Sequence, residues 1–414
     1  MSRNCSGDNG KPEPGRSPVT GRNYCYRMNT FFVISGTKMA FLDHFDYELS
    51  MPCREIDGEI FISLEDYCKI YSSEGEFDSE SHRIEIQRDG VLAVFYLGES
   101  VVRCPGAPME LKKAPYEENK TVMIPLTGFN QAVFGERWER DGELIAVGRG
   151  EEPLITLEMK RIVQGRKRNK SRGELFRTVW LKEAHKLNPY RLYIPSGYGK
   201  EKPQRLLVVL HGATGDSDSM FRSCPDLEYY GEIYNYILLG VNSLVQRGNF
   251  GSLLCPQGMF PIDAQKASPG DCDVYSMEEK AENRLAEQGV FKIIDLVKNE
   301  YEIPDGNVFV MGNSMGGIGA FHLPAARPGY FRASVPAGAI PELDYIPYGK
   351  IGQTPFLLVF GTEDHNWFER AMDSAEVLKQ KGMNLRFLPV GGYNHGAAWT
   401  RVIKDIFEFF NQFA

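Results

Sequence analysis

Fourteen residues, Asn307 to Ala320 (N-V-F-V-M-G-N-S-M-G-G-I-G-A), constrain this chain more than any other stretch. Val308–Met311 is an unbroken apolar run that stops at a glycine, the pattern of a strand buried on both faces. Gly312-Asn313-Ser314-Met315-Gly316, a G-x-S-x-G sequence, follows it. Small residues come next, suited to open a helix packed closely on a sheet. A serine in such a strand–turn–helix sits in a strained backbone conformation with its hydroxyl exposed. Its flanking glycines are required because a Cβ would strike the adjoining strand and helix. The bland alternative is a glycine-rich turn whose serine only caps a helix.

The texture around this stretch is that of an α/β protein. From Glu174 onward apolar runs alternate with helical patterns, which predicts a doubly wound, mostly parallel sheet. Tyr190–Ile194 is read as an edge strand because Pro195 ends it. Arg205–Leu210 (R-L-L-V-V-L) is read as a central strand, and Leu253–Cys255, Pro355–Phe360 and Leu385–Pro389 as later ones. A helix of about 20 residues is expected to end near Tyr301, with Val290, Ile293, Ile294 and Val297 on one stripe. The last helix repeats this logic with Trp399, Val402, Ile403, Ile406 and Phe410.

Ahead of that sheet, residues 43–148 read as a small α+β domain. Ile60–Tyr67 (I-F-I-S-L-E-D-Y) is echoed by Val122–Phe129 (V-M-I-P-L-T-G-F), each a period-two strand running straight into a helix with an inward aromatic residue. Further strands are expected at His82–Arg88, Leu92–Leu97 and Glu143–Val147, with Asp89-Gly90 and Asp141-Gly142 as turns. Residues 1–42 read as a disordered tail or non-native extension, with a start near Met28 or Met39 as the alternative. Residues 149–175 read as a basic linker carrying Lys160, Arg161, Arg166, Lys167, Arg168, Lys170 and Arg172. That run is taken as a solvated loop or hairpin, with a docking patch for an anionic partner as the sharper reading. The catalytic domain is placed at 176–414.

Composition narrows the partners. A net charge of −8 argues against nucleic acid, and no apolar run approaches the roughly 20 residues of a membrane span. No signal peptide is visible, so the expected location is cytoplasmic, or secreted or cell-surface if the N-terminus is not native. The eight cysteines are scattered without C-x-x-C pairs, which disfavours a zinc site or a dense disulfide framework and suits a reducing compartment.

Serine is a weak nucleophile at its own pKa, so Ser314 needs a base and the base needs an orienter. Each is expected in a loop after a later strand, acid first. Gly361-Thr362-Glu363-Asp364 supplies the acid, with Asp364 preferred to Glu363. Gly392-Tyr393-Asn394-His395-Gly396 supplies the base. Elimination supports His395: His44, His82 and His185 lie before or at the start of the sheet, His322 lies two turns into the serine's helix, and His365 abuts the acid. Two backbone donors must face the developing oxyanion. The N–H of Met315 is one, and that of Ala213, in His211-Gly212-Ala213-Thr214-Gly215, is the other, with His211 bracing the loop. Gln257, Trp367, Tyr393 and Trp399 flank these loops and are candidates to touch substrate. The segment Phe260–Ser276 is a candidate lid or cleft wall.

Four separated pieces in this order (H-G-A, G-N-S-M-G, G-T-E-D, N-H-G) resemble the α/β-hydrolase superfamily over about residues 175–414. Within it they resemble the feruloyl and acetylxylan esterases of carbohydrate esterase family one and the neighbouring polyhydroxybutyrate-depolymerase-like predicted peptidases. Tyr190–Pro195, Leu207–Gly212, Cys255–Gly258 and His395 with Trp399 add to the likeness. The resemblance implies a serine esterase working through an acyl-serine, without cofactor or metal, on a small-molecule or carbohydrate-linked ester. One departure is the His211–Gly215 loop, less glycine-rich than that of many relatives. The echoed phrases of the first domain resemble the copper amine oxidase N-terminal-like domain, a stalk-type module. That likeness implies a non-catalytic appendage, which could also pair subunits into a homo-oligomer. Only His44 and His82 fall there, so no copper site is expected. The rival readings are a serine peptidase of the prolyl-oligopeptidase type, against which the missing propeller counts, and a polymer-binding protein whose hydrolase half is silent.

Overall fold

A computed structural model describes residues 20, 22–168, 172–200, 204–259, 265, 267–365 and 367–414. The residues before Thr20 in the expected tail, Lys170 of the basic run, and Phe260 to Ala264 of the expected lid lie outside them. The chain divides into two compact units, the first made of Arg27–Arg168 and Trp180–Leu187, the second of Arg22–Tyr26, Asn169–Val179 and Asn188–Ala414. No helix among the described residues is long and apolar enough to cross a membrane.

The first unit contains β1 (Thr30–Ile34), β2 (Met39–Leu42), β3 (Phe45–Glu48), β4 (Arg54–Ile56), β5 (Glu59–Ser63), α1 (Leu64–Tyr71), β6 (Glu74–Asp78), β7 (Arg83–Arg88) and β8 (Val91–Tyr96). It continues with β9 (Val101–Arg103), β10 (Pro108–Glu110), β11 (Tyr116–Glu118), β12 (Thr121–Pro125), α2 (Leu126–Phe134), β13 (Arg137–Asp141), β14 (Leu144–Gly148) and α3 (Leu157–Arg168). The echoed phrases are a physical repeat. Strands β5 and β12 pair antiparallel with Ile62 opposite Ile124, and each runs directly into its helix. Tyr67 and Phe129, the aromatic residues of the two helices, are fully buried with ring centroids 5.4 Å apart.

Two expectations are corrected here. The tail does not reach residue 42: β1 and β2 pair with each other, β1 also pairs with β14, and Phe31, Val33 and Phe41 are fully buried. The basic stretch is no loop, because α3 spans Leu157–Arg168 and buries Met159 and Val163. Its charges are partly neutralised, with Lys160 paired to Asp141 and Arg166 Nε 3.0 Å from Asp46.

The second unit takes in β15 (Gly173–Leu181) up to Val179 and β16 (Lys186–Ile194) from Asn188, and carries β17 (Arg205–Leu210), α4 (Ser219–Ser223), α5 (Asp226–Tyr234), β18 (Tyr236–Val241), α6 (Met277–Glu300), β19 (Val308–Asn313) and α7 (Met315–Ala326). After these come β20 (Phe331–Ala337), α8 (Tyr348–Ile351), β21 (Phe356–Gly361), α9 (Phe368–Gln380), β22 (Leu385–Val390), α10 (Ala398–Arg401) and α11 (Ile403–Asn411). Strand order is β15-β16-β18-β17-β19-β20-β21-β22, parallel from β18 to β22. This is the α/β architecture the sequence predicts.

The run R-L-L-V-V-L has no polar face because β17 is covered on both sides. Leu206, Val208 and Leu210 join Val290, Ile294 and Val297 of α6, while Leu207 and Val209 join Phe221, Leu227, Ile406 and Phe407. Alternate side chains of a strand point to opposite faces, and each buried aliphatic contributes about 1.5–3 kcal/mol. Pro324 lies inside α7 and cannot donate to Ala320 O; the Ser334 hydroxyl of β20 donates there instead, at 2.7 Å.

Strand β16 is not an edge, since β15 flanks its other side; Pro195 falls beyond the last paired residue, Tyr193, and so forbids nothing. Leu253–Cys255 is not a strand, and β18 and β20 fill the sheet instead. The last helix is broken at Val402 into α10 and α11. Cys255 and Cys272 form a buried disulfide, which runs against the reading of a reducing compartment.

Candidate active site

Ser314 joins β19 to α7 with φ 58° and ψ −118°, a backbone conformation that costs a non-glycine residue about 1–3 kcal/mol. Three hydrogen bonds impose it. Ser314 N–H donates to Ala337 O at 2.8 Å, and its carbonyl accepts from Gly317 N at 2.8 Å and Ile318 N at 3.1 Å. The glycines are steric requirements. A Cβ on Gly312 would lie 2.3 Å from Gly316 O, and one on Gly316 would lie 2.2 Å from Leu210 O. The bland reading of a helix-capping serine fails, because the Ser314 side chain makes no cap hydrogen bond.

Asp364 and His395 are brought together from loops after β21 and β22. His395 Nδ1 lies 2.8 Å from Asp364 Oδ2, with the carboxylate side chain 7% exposed and the imidazole 40%. Backbone contacts set this up. A Cβ on Gly361 would sit 2.0 Å from Tyr393 O, and Glu363 N–H donates to that same carbonyl at 3.0 Å, so the two loops run against each other. Trp367 and Phe368 N–H groups both donate to Asp364 O at 2.8 Å as α9 begins. The neighbouring carboxylate points elsewhere: Glu363 is half-exposed and faces the exposed His365, 3.0 Å away.

The base loop reaches the serine's turn through Gly338, the residue after β20. A Cβ built there would be 3.2 Å from His395 Cε1 and 3.1 Å from Asn313 Oδ1. On the other side, Gly212 approaches the turn, its Cβ position lying 3.9 Å from Ser314 Cβ. Ala213 follows in a turn closed by Gly215 N–H on Gly212 O at 3.0 Å. Met315 is the first residue of α7, where a backbone N–H has no partner within the helix. His211 is fully buried between Gly212 O, 2.7 Å from Nδ1, and the Ser243 N–H, which donates to Nε2 at 3.3 Å. Accepting at Nε2 fixes the neutral Nδ1–H tautomer, and burial pushes the imidazole's pKa down to about 4. It braces the loop and is no base.

The remaining histidines are engaged elsewhere. His322 Nε2 lies 2.5 Å from Glu287 of α6, and His185 Nε2 lies 2.9 Å from Ser73 O in the first unit. His44 stacks beside Phe45, and His82 occupies a turn with φ 56°.

The substrate candidates divide. Trp367 and Tyr393 are half-buried beside the acid and the base. Trp399 is 2% exposed and packs into the core with Ala398, Ile403 and Phe407, so it is corrected from pocket wall to core residue. Gln257 is drawn away: its amide exchanges hydrogen bonds with Ser374 Oγ of α9 at 3.1 and 3.2 Å. Sequence reasoning missed Gly338 and Ser243, and named Gly361 without seeing that it lets the two loops meet. For Gly361 the signal was present in its place at the end of a strand ahead of the acid.

No protein-family model and no curated protein matches the chain. Among solved structures it is similar to the fluorophosphonate-binding serine hydrolase F of Staphylococcus aureus, with 15% identity, TM-score 0.45, and coverage of 58% of this chain and 99% of that one. It is similar to a thermostable esterase at 14% identity and TM-score 0.42, covering 82% and 97%. A ferulic acid esterase of carbohydrate esterase family one from Anaeromyces mucronatus, in complex with ferulic acid, aligns at 15% identity and TM-score 0.40, covering 59% and 94%.

Proposed function

We propose that this chain is a serine carboxylic-ester hydrolase acting on short-chain or aromatic esters of the acetyl or feruloyl type. The observation that carries this reading is the 2.8 Å bond between the buried Asp364 carboxylate and His395 Nδ1, with His395 lying against Gly338, next to the Ala337 carbonyl that accepts the Ser314 N–H. Ser314 Oγ attacks the ester carbonyl while His395 Nε2 takes its proton. The Met315 and Ala213 N–H groups receive the oxyanion. Collapse of the tetrahedral species expels the alcohol, which takes the proton from His395. Water then repeats the sequence on the acyl-serine and releases the carboxylic acid. Asp364 holds the imidazole in the tautomer that leaves Nε2 free to accept. Trp367 and Tyr393, half-buried next to the Asp364 and His395 loops, are the candidates to touch the acyl or leaving group. The Cys255–Cys272 disulfide favours work outside the cytosol.

The test is hydrolysis of p-nitrophenyl acetate and butyrate by the wild-type chain and Ser314→Ala. The serine variant should lose about four orders of magnitude or more in kcat, together with labelling by a fluorophosphonate. Equal turnover in the variant refutes the assignment. A matched amide hydrolysed as fast as the ester would favour a peptidase, and a panel of acetyl, butyryl, feruloyl and hydroxybutyryl esters would fix the acyl group.

A further inference from the structure

We propose that Gly338 is a positioning residue for the base: the His395 imidazole rests on its bare Cα, and a side chain there displaces the ring. This rests on the hydrolase reading above and deepens it. Ala337 and Gly338, at the end of β20, hold both halves of the site. Ala337 O accepts the Ser314 N–H at 2.8 Å, while Gly338, at φ 59°, turns beneath His395. A Cβ on Gly338 would stand 3.2 Å from both Cε1 and Nδ1 of His395, and 3.1 Å from Asn313 Oδ1. Ordinary contact needs about 3.5–4.0 Å, so something must give by a few tenths of an ångström.

Only the imidazole is free to move. Gly338 is tied to β21 by its N–H on Val359 O at 2.9 Å. Asn313 Oδ1 is buried, so it has no solvent-facing space to retreat into. His395 is 40% exposed on its other side. The push falls on Nδ1, the atom bonded to Asp364. A catalytic group must be held to within about 0.5 Å, and misplacement by about 1 Å costs about a hundredfold in rate.

The experiment compares Gly338→Ala with Gly352→Ala, which shares a positive φ (62°) but has no atom within 4 Å of its Cβ position. Rates are measured on p-nitrophenyl butyrate and normalised to folded protein. Gly338→Ala should lose about tenfold or more in kcat with little change in KM, while Gly352→Ala stays near wild type. In a His395→Ala background, Gly338→Ala should cause no further loss, because it acts through a ring that is gone. The low-field proton resonance of His395 Nδ1–H, read without turnover, should move in Gly338→Ala and stay in Gly352→Ala. Equal kcat for the two glycine variants, a full further loss without His395, or an unmoved resonance overturns the proposal. If the alanine variant does not fold, Gly338→Asn carries the same Cβ on a residue that tolerates left-handed backbone. Failure of the hydrolase reading itself shows differently, as a His395→Ala variant as active as wild type.

Discussion

Burial of His211 makes the stability of the second unit depend on pH in a way that can be isolated. Its imidazole is 1% exposed, donates from Nδ1 to Gly212 O, and accepts at Nε2 from Ser243 N–H. Protonation would set an N⁺–H against that N–H donor in a buried site, and burial lowers its pKa from 6.5 to about 4. Above pH about 6.5 the imidazole is neutral in folded and unfolded chains alike and contributes no pH dependence. As the pH falls below that value the unfolded chain takes up a proton that the folded chain refuses. The fold therefore loses stability progressively, until the loss levels off near pH 4. At pH 4.5 the difference amounts to about 2.5 kcal/mol. The perturbation is His211→Gln, neutral at every pH. It should cost about 1–3 kcal/mol at pH 7.5 through the broken hydrogen bonds, yet lose about 2.5 kcal/mol less than wild type between pH 7.5 and 4.5. Urea unfolding followed by the fluorescence of Trp399, with Trp138, Trp180 and Trp367 replaced by phenylalanine, reports the core of the second unit. Carboxylates elsewhere titrate equally in both proteins and cancel in the comparison. Losses on acidification that run parallel to within about 0.5 kcal/mol would show that the imidazole is not held neutral by burial, and the reasoning would fail.

Asp364→Asn should lower kcat by about 10⁴-fold, since an amide permits the wrong imidazole tautomer; Glu363→Gln, on the exposed side, should stay within a few-fold of wild type, and the reverse order would reassign the acid. Reducing the Cys255–Cys272 disulfide, which closes a separation of 17 residues, should remove about 3 kcal/mol of stability; urea midpoints unmoved by reductant count against the bridge. Gly316→Ala drives a Cβ to 2.2 Å from Leu210 O and should cost about 3 kcal/mol or more. Gly349→Ala, in α8 with open space around it, should instead be neutral or raise the melting temperature slightly.

What the sequence disclosed, and what it hid, follow from the range over which each interaction acts. Ser314, Asp364 and His395 could be singled out as candidates because each lies within a few residues of a strand's end, and strand ends are marked locally by apolar runs meeting glycines. The repeat of β5–α1 by β12–α2 was legible for the same reason, as two short phrases with one periodicity. Strand β20 was not: Arg332 and Pro336 interrupt F-R-A-S-V-P-A, and a proline is tolerated there because its neighbours, not its own N–H, supply the pairing. Missing that strand concealed Gly338, which lies close to both Asn313 of the serine's turn and His395. Trp399 and Gln257 failed in the opposite sense. Both stand close in sequence to functional loops, but α10 turns Trp399 into the core and Ser374 captures Gln257. The preference for Asp364 over Glu363 came from its place in G-T-E-D, whereas the contacts around it, with the Trp367 and Phe368 N–H groups on the Asp364 carbonyl, depend on how α9 begins. Reactive groups can thus be recognised one at a time, but what keeps them reactive belongs to neighbouring strands. Activity in this chain should therefore also depend on the end of β20, a segment that contributes no reactive side chain.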